Sequence, residues 1–192
     1  MHDIEPYFQW RDAYISSEDQ RSPLYGRDYD EFYFTNTIYN YYIHPQWDEF
    51  GSATLYLKII YADYEHKYAV IELIGEWNDC ISSDIMILRR EITDLLQDEG
   101  ISKFILVVEN VLNYHAAEDN SYYEDWYDEV SDLEGWVAII NPLKHVEEEM
   151  ANYGLNQYVH LLSGADWRGR KPRALLKWVE QQISSPKMLP LG

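Results

Sequence analysis

Two short runs of almost wholly apolar residues, at 104–108 and 136–140, constrain the fold of this chain most strongly. Neither run alternates apolar and polar residues, and the first is bounded by the charged residues Lys103 and Glu109. Short apolar runs of this kind are typical of strands that are covered on both faces, as in the middle of a parallel sheet. We therefore expect 104–108 to form the central strand, with 136–140 and a third run at 158–162 as further strands.

Helical patterns separate these runs and complete the prediction of an α/β fold. Apolar residues between Ile85 and Leu96 recur at helical spacing before Gly100. Asn141 and Pro142 predict a helix cap with proline at the first helical position, and that helix should end at Gly154. A closing helix is expected at 173–183. Strands that alternate with helices predict crossover connections and a parallel core.

The residues before the first helix are rich in aromatic and β-branched types, which favour strands. The runs at 37–42, 53–61 and 68–74 predict antiparallel neighbours of the parallel core, with a hairpin connection at 62–66. The fold class is thus a mixed sheet with a parallel core, helices packed on it and an aromatic-rich N-terminal β extension. We predict the extension at 1–50, the α/β domain at 51–184 and a C-terminal tail at 185–192.

Charge limits the classes of function that are open to the chain. It has 34 acidic against 15 basic residues, a formal charge of −19 and a pI near 4.5. Duplex nucleic acid and anionic membranes need phosphate-neutralising cations, so we expect neither as a partner. A single cysteine, Cys80, excludes an internal disulfide and suits a reducing compartment. No run approaches 18 apolar residues, and we expect a cytoplasmic protein.

The segment 113–136 contains eight acidic residues and no lysine or arginine. One interpretation is a solvated acidic helix whose aromatic residues pack on the sheet. Another is a surface that contacts a protein partner, because tyrosine and tryptophan dominate binding hot spots and acidic residues steer a basic partner. The residues proposed for this contact are Tyr122, Tyr123, Glu124, Asp125, Trp126 and Asp128.

In contrast to the acidic segment, the region near the C-terminus contains a compact basic cluster: Arg168, Arg170, Lys171 and Arg173. Such a cluster before a helix could hold an anion. In a chain of charge −19, docking onto the acidic segment of its own or a neighbouring subunit is the favoured interpretation, which leaves a homo-oligomer open.

Several short stretches resemble the STAS domain, the module of anti-sigma-factor antagonists and of sulfate-transporter tails. They are Ile-Ile-Asn-Pro at 139–142, Gly-Leu at 154–155, Tyr-Val at 158–159 and Leu-Val-Val-Glu-Asn-Val at 106–111. The resemblance covers about residues 66–183. It implies a mixed sheet with a parallel core and a role in regulation through a protein partner.

The chain departs from that family at its regulatory turn. The switching members carry a phosphorylatable serine after the central strand, whereas the equivalent turn here contains His115, Ala116 and Ala117. Glu118 and Asp119 follow and would repel an added phosphate. The resemblance therefore implies a STAS-like protein whose phosphorylation switch is lost.

The favoured function is a non-catalytic regulatory or scaffold protein, with no catalytic residue, cofactor or metal site predicted. Two alternatives stay open. One is a metal-dependent hydrolase that uses His115 with Asp119, Glu124 or Asp125 as ligands. The other is an acidic mimic of nucleic acid that occupies a basic groove on another protein.

Overall fold

A five-stranded sheet forms the centre of the computed structural model, which describes residues 4–30 and 32–185. The strands in spatial order are β3 (Leu55–Asp63), β4 (Tyr68–Asn78), β5 (Lys103–His115), β6 (Trp136–Ile140) and β7 (His160–Leu162). β3 is antiparallel to β4, and the other neighbours are parallel. The predicted mixed sheet is thus confirmed, and the run at 104–108 lies in its third strand.

Helices connect the parallel strands and cover both faces of the sheet. In chain order the helical segments are α1 (Asp84–Leu88), a π-helical turn (Arg89–Thr93), α2 (Asp94–Asp98), α3 (Ser121–Asp132), α4 (Lys144–Asn152), a 3-10 turn (Leu155–Gln157) and α5 (Pro172–Ser184). Those from α1 to α4 pack on what we call the first face, which includes Leu106 and Ile139. α5 packs on the second face, which includes Ile105 and Ala138. None of the helices in the described ranges is long and apolar enough to cross a membrane.

Tyr7 and Trp10 of the N-terminal segment lie against the second face, whereas Leu24 and Phe50 pack in the core of the first face. The segment consists largely of turns and includes a small hairpin of β1 (Thr37–Ile38) and β2 (Tyr41–Tyr42). Tyr7 and Trp10 are buried on the second face and make edge contacts with Trp167. The division into an extension, a domain and a tail stays a prediction. Beyond Ser185, the predicted tail lies outside the described residues.

Two predictions about element ends were wrong. The helix after β6 begins at Lys144 rather than at Pro142, because Asn141 adopts a left-handed conformation (φ 53°). Its side-chain amide exchanges two hydrogen bonds of 2.8 Å with the backbone of Ala165. The start of the acidic segment is strand rather than loop or helix, since β5 continues to His115 alongside the equally extended β4.

Charged side chains lie in the interior of the second face, where the N-terminal and C-terminal parts of the chain meet. Glu72 of β4 is fully buried and accepts hydrogen bonds from the backbone amide of Tyr7 at 2.7 Å and from Arg168 at 3.0 Å. Arg168 also donates to Glu109 of β5 at 2.9 Å. Burial raises the pKa of Glu72 to about 7, although both donors oppose that rise. This carboxyl group therefore connects the sheet to both ends of the chain.

Replacing Glu72 with glutamine should change how stability depends on pH. Between pH 4.5 and 7 folded Glu72 keeps a proton that the unfolded chain has lost, so its contribution to stability falls as pH rises through that range. Glutamine does not titrate, and the unfolding free energy of Glu72→Gln relative to wild type should rise by roughly 1–3 kcal/mol from pH 5 to pH 8. Urea unfolding at several pH values measures this. The exposed Glu65→Gln variant is the control, and a constant difference between Glu72→Gln and wild type would contradict the prediction.

Candidate functional site

A cleft opens at the carboxyl edge of the sheet, where β4 and β5 end beside the last turn of α4. Its volume is about 360 Å³, and the residues that line it are Asn78, Cys80, Ile81, His115, Ala116, Glu149 and Tyr153. In open α/β sheets this edge is the usual location of binding sites, because the loops that leave the strands converge there. The predicted turn at His115 and Ala116 thus forms part of the cleft wall.

Asp79 supports the cleft from below. One carboxylate oxygen accepts hydrogen bonds from the Trp77 indole at 2.9 Å and from the Ile85 backbone amide at 2.8 Å. The other accepts them from the hydroxyls of Tyr114 at 3.1 Å and Tyr123 at 2.6 Å. These donors come from β4, α1, β5 and α3, so one side chain connects four elements.

Burial is the dominant influence on the titration of this cluster. It raises the pKa of Asp79, while the hydrogen bonds from Tyr123, Ile85, Trp77 and Tyr114 act in the opposite direction. Burial also raises the pKa of the Tyr114 and Tyr123 hydroxyls, and the nearby Asp79 adds to that rise. Both tyrosines therefore stay protonated and remain donors at physiological pH.

The cleft presents polar groups beside one strongly exposed apolar side chain. A ring nitrogen of His115 lies 2.7 Å from a carboxylate oxygen of Glu76, which orients the imidazole. The backbone amide of Cys80 donates to the His115 carbonyl at 3.1 Å. Ile81 in the same loop is 84% exposed. The arrangement suits recognition of a surface that offers both hydrogen-bonding groups and an apolar contact.

The acidic helix α3 divides the residues that were predicted to contact a partner. Tyr123 and Trp126 are buried, with exposed fractions of 2% and 1%, so they cannot belong to a contact surface. They lie three residues apart on the helical face that also carries Val130 and packs on the sheet. Tyr122 is half-buried. Glu124, Asp125 and Asp128 point to solvent, and we refer to these three as the acidic surface.

The start of α3 lies next to the cleft. Asn120, the residue before α3, donates a 2.7 Å hydrogen bond to the carbonyl of Tyr153 in the cleft wall. Glu129, one helical turn after Asp125, forms an ion pair with the buried Arg89 at 2.6 Å. That contact fastens α3 to the helical segment after β4 and leaves the acidic surface facing outward.

The residues assigned to the switch turn follow β5. β5 ends at His115, and Ala116 packs against the core of the first face. The helix begins five residues after Ala116, at Ser121. Asp119 accepts hydrogen bonds from the Ser121 amide at 2.9 Å and from its hydroxyl at 3.0 Å. A carboxylate therefore already occupies the helix start, where an added phosphate would otherwise be favoured.

The structure does not bring the candidate metal ligands together. Across 4–30 and 32–185, no three histidine, cysteine, aspartate or glutamate side chains are grouped so that they could hold a metal ion. His115 is paired with Glu76 rather than with Asp119, Glu124 or Asp125. The geometry thus offers no support for the hydrolase alternative.

Among the described residues, the basic cluster does not dock onto the acidic segment of its own chain, and docking onto a neighbouring subunit stays a prediction. Arg168 pairs with Glu72 and Glu109, and Arg170 donates to the Asp166 carbonyl at 2.7 Å. Arg173 donates to the ring of His66. Lys171 is exposed just before α5. The cause is topological, since residues 164–171 cross the second face whereas α3 packs on the first.

Three solved structures resemble this fold. The unphosphorylated anti-sigma factor antagonist SpoIIAA is 14% identical, with a TM-score of 0.49 over 65% of this chain and 96% of that one. The phosphorylated form of SpoIIAA from Bacillus is 13% identical, with a TM-score of 0.43 over 64% and 98%. The protein TM1081 of Thermotoga maritima is 15% identical, with a TM-score of 0.43 over 79% and 98%. No family model and no curated protein matches the sequence.

The sequence analysis missed the loop after β4 as a part of the site. Asp79 and Ile81 lie in a polar stretch directly after a strand, and loops that leave parallel strands at this edge commonly form sites. That position was the available signal. The inward direction of Asp79 and the outward direction of Ile81 depend on tertiary packing.

Removing the Tyr123 hydroxyl should destabilise the chain. Tyr123→Phe takes one donor from buried Asp79, and we expect a loss of about 1–3 kcal/mol in the free energy of unfolding. Tyr127→Phe on the same helix is the control, because that ring is 42% exposed and its change should stay within about 0.5 kcal/mol. Urea unfolding at pH 7 measures both, and equal effects would show that the Asp79 cluster is not a stabilising centre.

Proposed function

We propose that this chain is a non-catalytic, STAS-like regulatory or scaffold protein that binds a protein partner at the carboxyl edge of its sheet. The contact area consists of the acidic surface of α3 and the neighbouring cleft. The proposal includes no catalytic step, no cofactor and no resident metal. A basic protein is the expected partner class, since a formal charge of −19 opposes nucleic acid and anionic lipid.

One observation carries this proposal: an 84% exposed isoleucine lies in a cleft whose wall is hydrogen-bonded to the start of α3, the helix with three exposed carboxylates. Large apolar side chains that are buried on association supply much of the affinity in protein interfaces. Carboxylates around them add little affinity but select and steer a partner with complementary cations. Ile81 would therefore supply the apolar contact, and Glu124, Asp125 and Asp128 the selection.

The hydrogen bonds of Asp79 beneath the cleft hold the proposed contact area in place before a partner binds. Asp79 links the strands that end at the cleft to α1 and α3. A contact area held in place before binding loses less conformational freedom when the partner arrives. The same cluster therefore supports the proposal that the surface is used for recognition.

A triple substitution of the acidic surface should remove the partner. We expect wild-type chain to recover a stoichiometric basic protein from native lysate, and Glu124→Ala, Asp125→Ala, Asp128→Ala together to lose at least about tenfold in recovery. Quantitative pull-down measures the effect. A matched control removes the same charge elsewhere, with Asp12→Ala, Glu18→Ala and Glu65→Ala, which are exposed positions outside the site. Equal recovery by both triple variants would overturn the proposed surface.

The proposed loss of the phosphorylation switch rests on the turn between β5 and α3. Alanines occupy positions 116 and 117, and the first hydroxyl group after them, that of Ser121, is bonded to Asp119. Glu118 and Glu124 lie within three residues of Ser121 and would repel a phosphate dianion there. Partner binding would then be controlled by means other than a phosphate at this turn.

An intact-mass spectrum of the protein from its native cells tests this part of the proposal. We expect no phosphorylated fraction at residues 116–121. An Asp119→Asn variant, expressed in the same cells, shows whether the carboxylate is what protects Ser121. A phosphate on Ser121 of the wild-type chain would show that the switch is kept at the first residue of α3 rather than lost.

A further inference from the structure

A second cavity lies on the opposite side of the molecule, between the N-terminal turns and the outer strand β3. Its volume is about 180 Å³, and its polar lining includes Arg11, Tyr14, Ser16, Tyr29, Gln46 and Lys58. A water molecule needs roughly 10–15 Å³ of such space, so the cavity has room for a small polar molecule. It lies over the second face and shares no residue with the carboxyl-edge cleft.

Hydrogen-bond donors in this cavity outnumber the acceptors that they meet. The Ser16 side chain is buried at 2% exposure, and its hydroxyl forms no hydrogen bond with a described residue. The Tyr29 hydroxyl is enclosed beside Ser16 and the Asp48 carboxylate, both of which influence its titration, but no hydrogen bond of good geometry satisfies it. Lys58 is 9% exposed and donates to Asp48 at 3.0 Å, which accounts for one of its three N–H groups.

The charges around Lys58 also favour an added acceptor. The Lys58 ammonium stacks 3.5 Å from the centre of the Tyr29 ring, and Arg27 shares Asp48 with it at 3.3 Å. Arg11, at the cavity wall, is paired with Glu5 at 3.2 Å. The three cations and the two carboxylates named here together carry one net positive charge, in a chain whose formal charge is −19.

Glu72 does not cancel that charge by contact with Lys58. The two residues are opposite each other in the β3–β4 register, but the Glu72 carboxylate is bonded to the Tyr7 amide and to Arg168. Burial, with smaller contributions from Arg11 and Arg27, lowers the pKa of the Lys58 ammonium to about 8, although Asp48 opposes that fall. A cation held at this cost gains from an anion nearby.

We propose that this cavity is a binding site for a compact oxyanion, a phosphate or carboxylate group, held by Lys58, Ser16 and Tyr29. An oxyanion supplies an acceptor for the Ser16 hydroxyl and for the Lys58 N–H groups that Asp48 does not engage, and charge-assisted hydrogen bonds of this kind are the strong ones. Because the cavity is roofed by the N-terminal turns and floored by β3, the bound anion would also fasten the N-terminal residues to the sheet. The site is independent of the proposed partner surface.

Calorimetric titration of the full chain at pH 7 and constant ionic strength tests the site. The probes are inorganic phosphate and butyrate, which separate the phosphate source from the carboxylate source. We expect one of them to bind saturably at one site per chain and to raise the melting temperature. Binding should weaken roughly three- to tenfold in Ser16→Ala, which removes a single hydroxyl, and should be lost in Lys58→Met. Lys177→Met, an exposed lysine on α5, is the matched control and should bind as wild type does.

A second readout is the Lys58 ammonium itself. A bound anion favours the charged form, so the pKa of Lys58, followed by NMR of its ¹³Cε, should rise when the probe is added. The proposal fails if neither probe binds saturably, or if Ser16→Ala and Lys58→Met both bind like Lys177→Met. The acidic-surface triple variant should bind the anion as wild type does. The anion titration can therefore be interpreted even if the partner proposal fails.

Discussion

The carboxyl edge of the sheet depends on the carboxylate of Asp79, which accepts hydrogen bonds from β4, β5, α1 and α3 at once. A buried carboxyl group without partners is costly, and the four donors are what make this position tolerable. Their geometry in turn determines where the two long strands end and how the following loops leave them. The cleft and the direction of the acidic surface are consequences of this one buried group.

The two faces of the sheet differ in polarity and in the elements that cover them. The first face is apolar throughout its centre and packs against helices in the ordinary way of α/β proteins. The second face carries Lys58, Glu72 and Glu109 among its apolar residues. It is covered by irregular chain from both termini, which can bring backbone amides, carbonyls and Arg168 to those charges. An amphipathic helix alone supplies few such groups, and this explains why turns rather than a helix cover the middle of this face.

Local pattern accounts for much of the fold but for less of the candidate site. Unbroken apolar runs located β5 and β6, because a short strand without polar residues is stable only where both of its faces are covered. The continuation of β5 to His115 escaped notice, since Asn113 and His115 are not strand formers and only pairing with β4 holds them extended. Tyr123 and Trp126 were assigned to a surface by residue type, while their three-residue spacing already indicated a buried helical face.

The burial of Glu72 could not be predicted from the sequence either, because its hydrogen-bond partners are 65 and 96 residues away.

Contacts between residues that are far apart in the sequence also affect folding during synthesis. Trp10 donates to the carbonyl of Arg170, 160 residues later, and Tyr7 donates to the carbonyl of Arg168. Tyr7 and Trp10 therefore acquire these contacts only after about 160 further residues have been synthesised. During that interval an aromatic-rich segment has no finished surface to join, so the nascent chain depends on speed of synthesis or on a chaperone to avoid association with its neighbours.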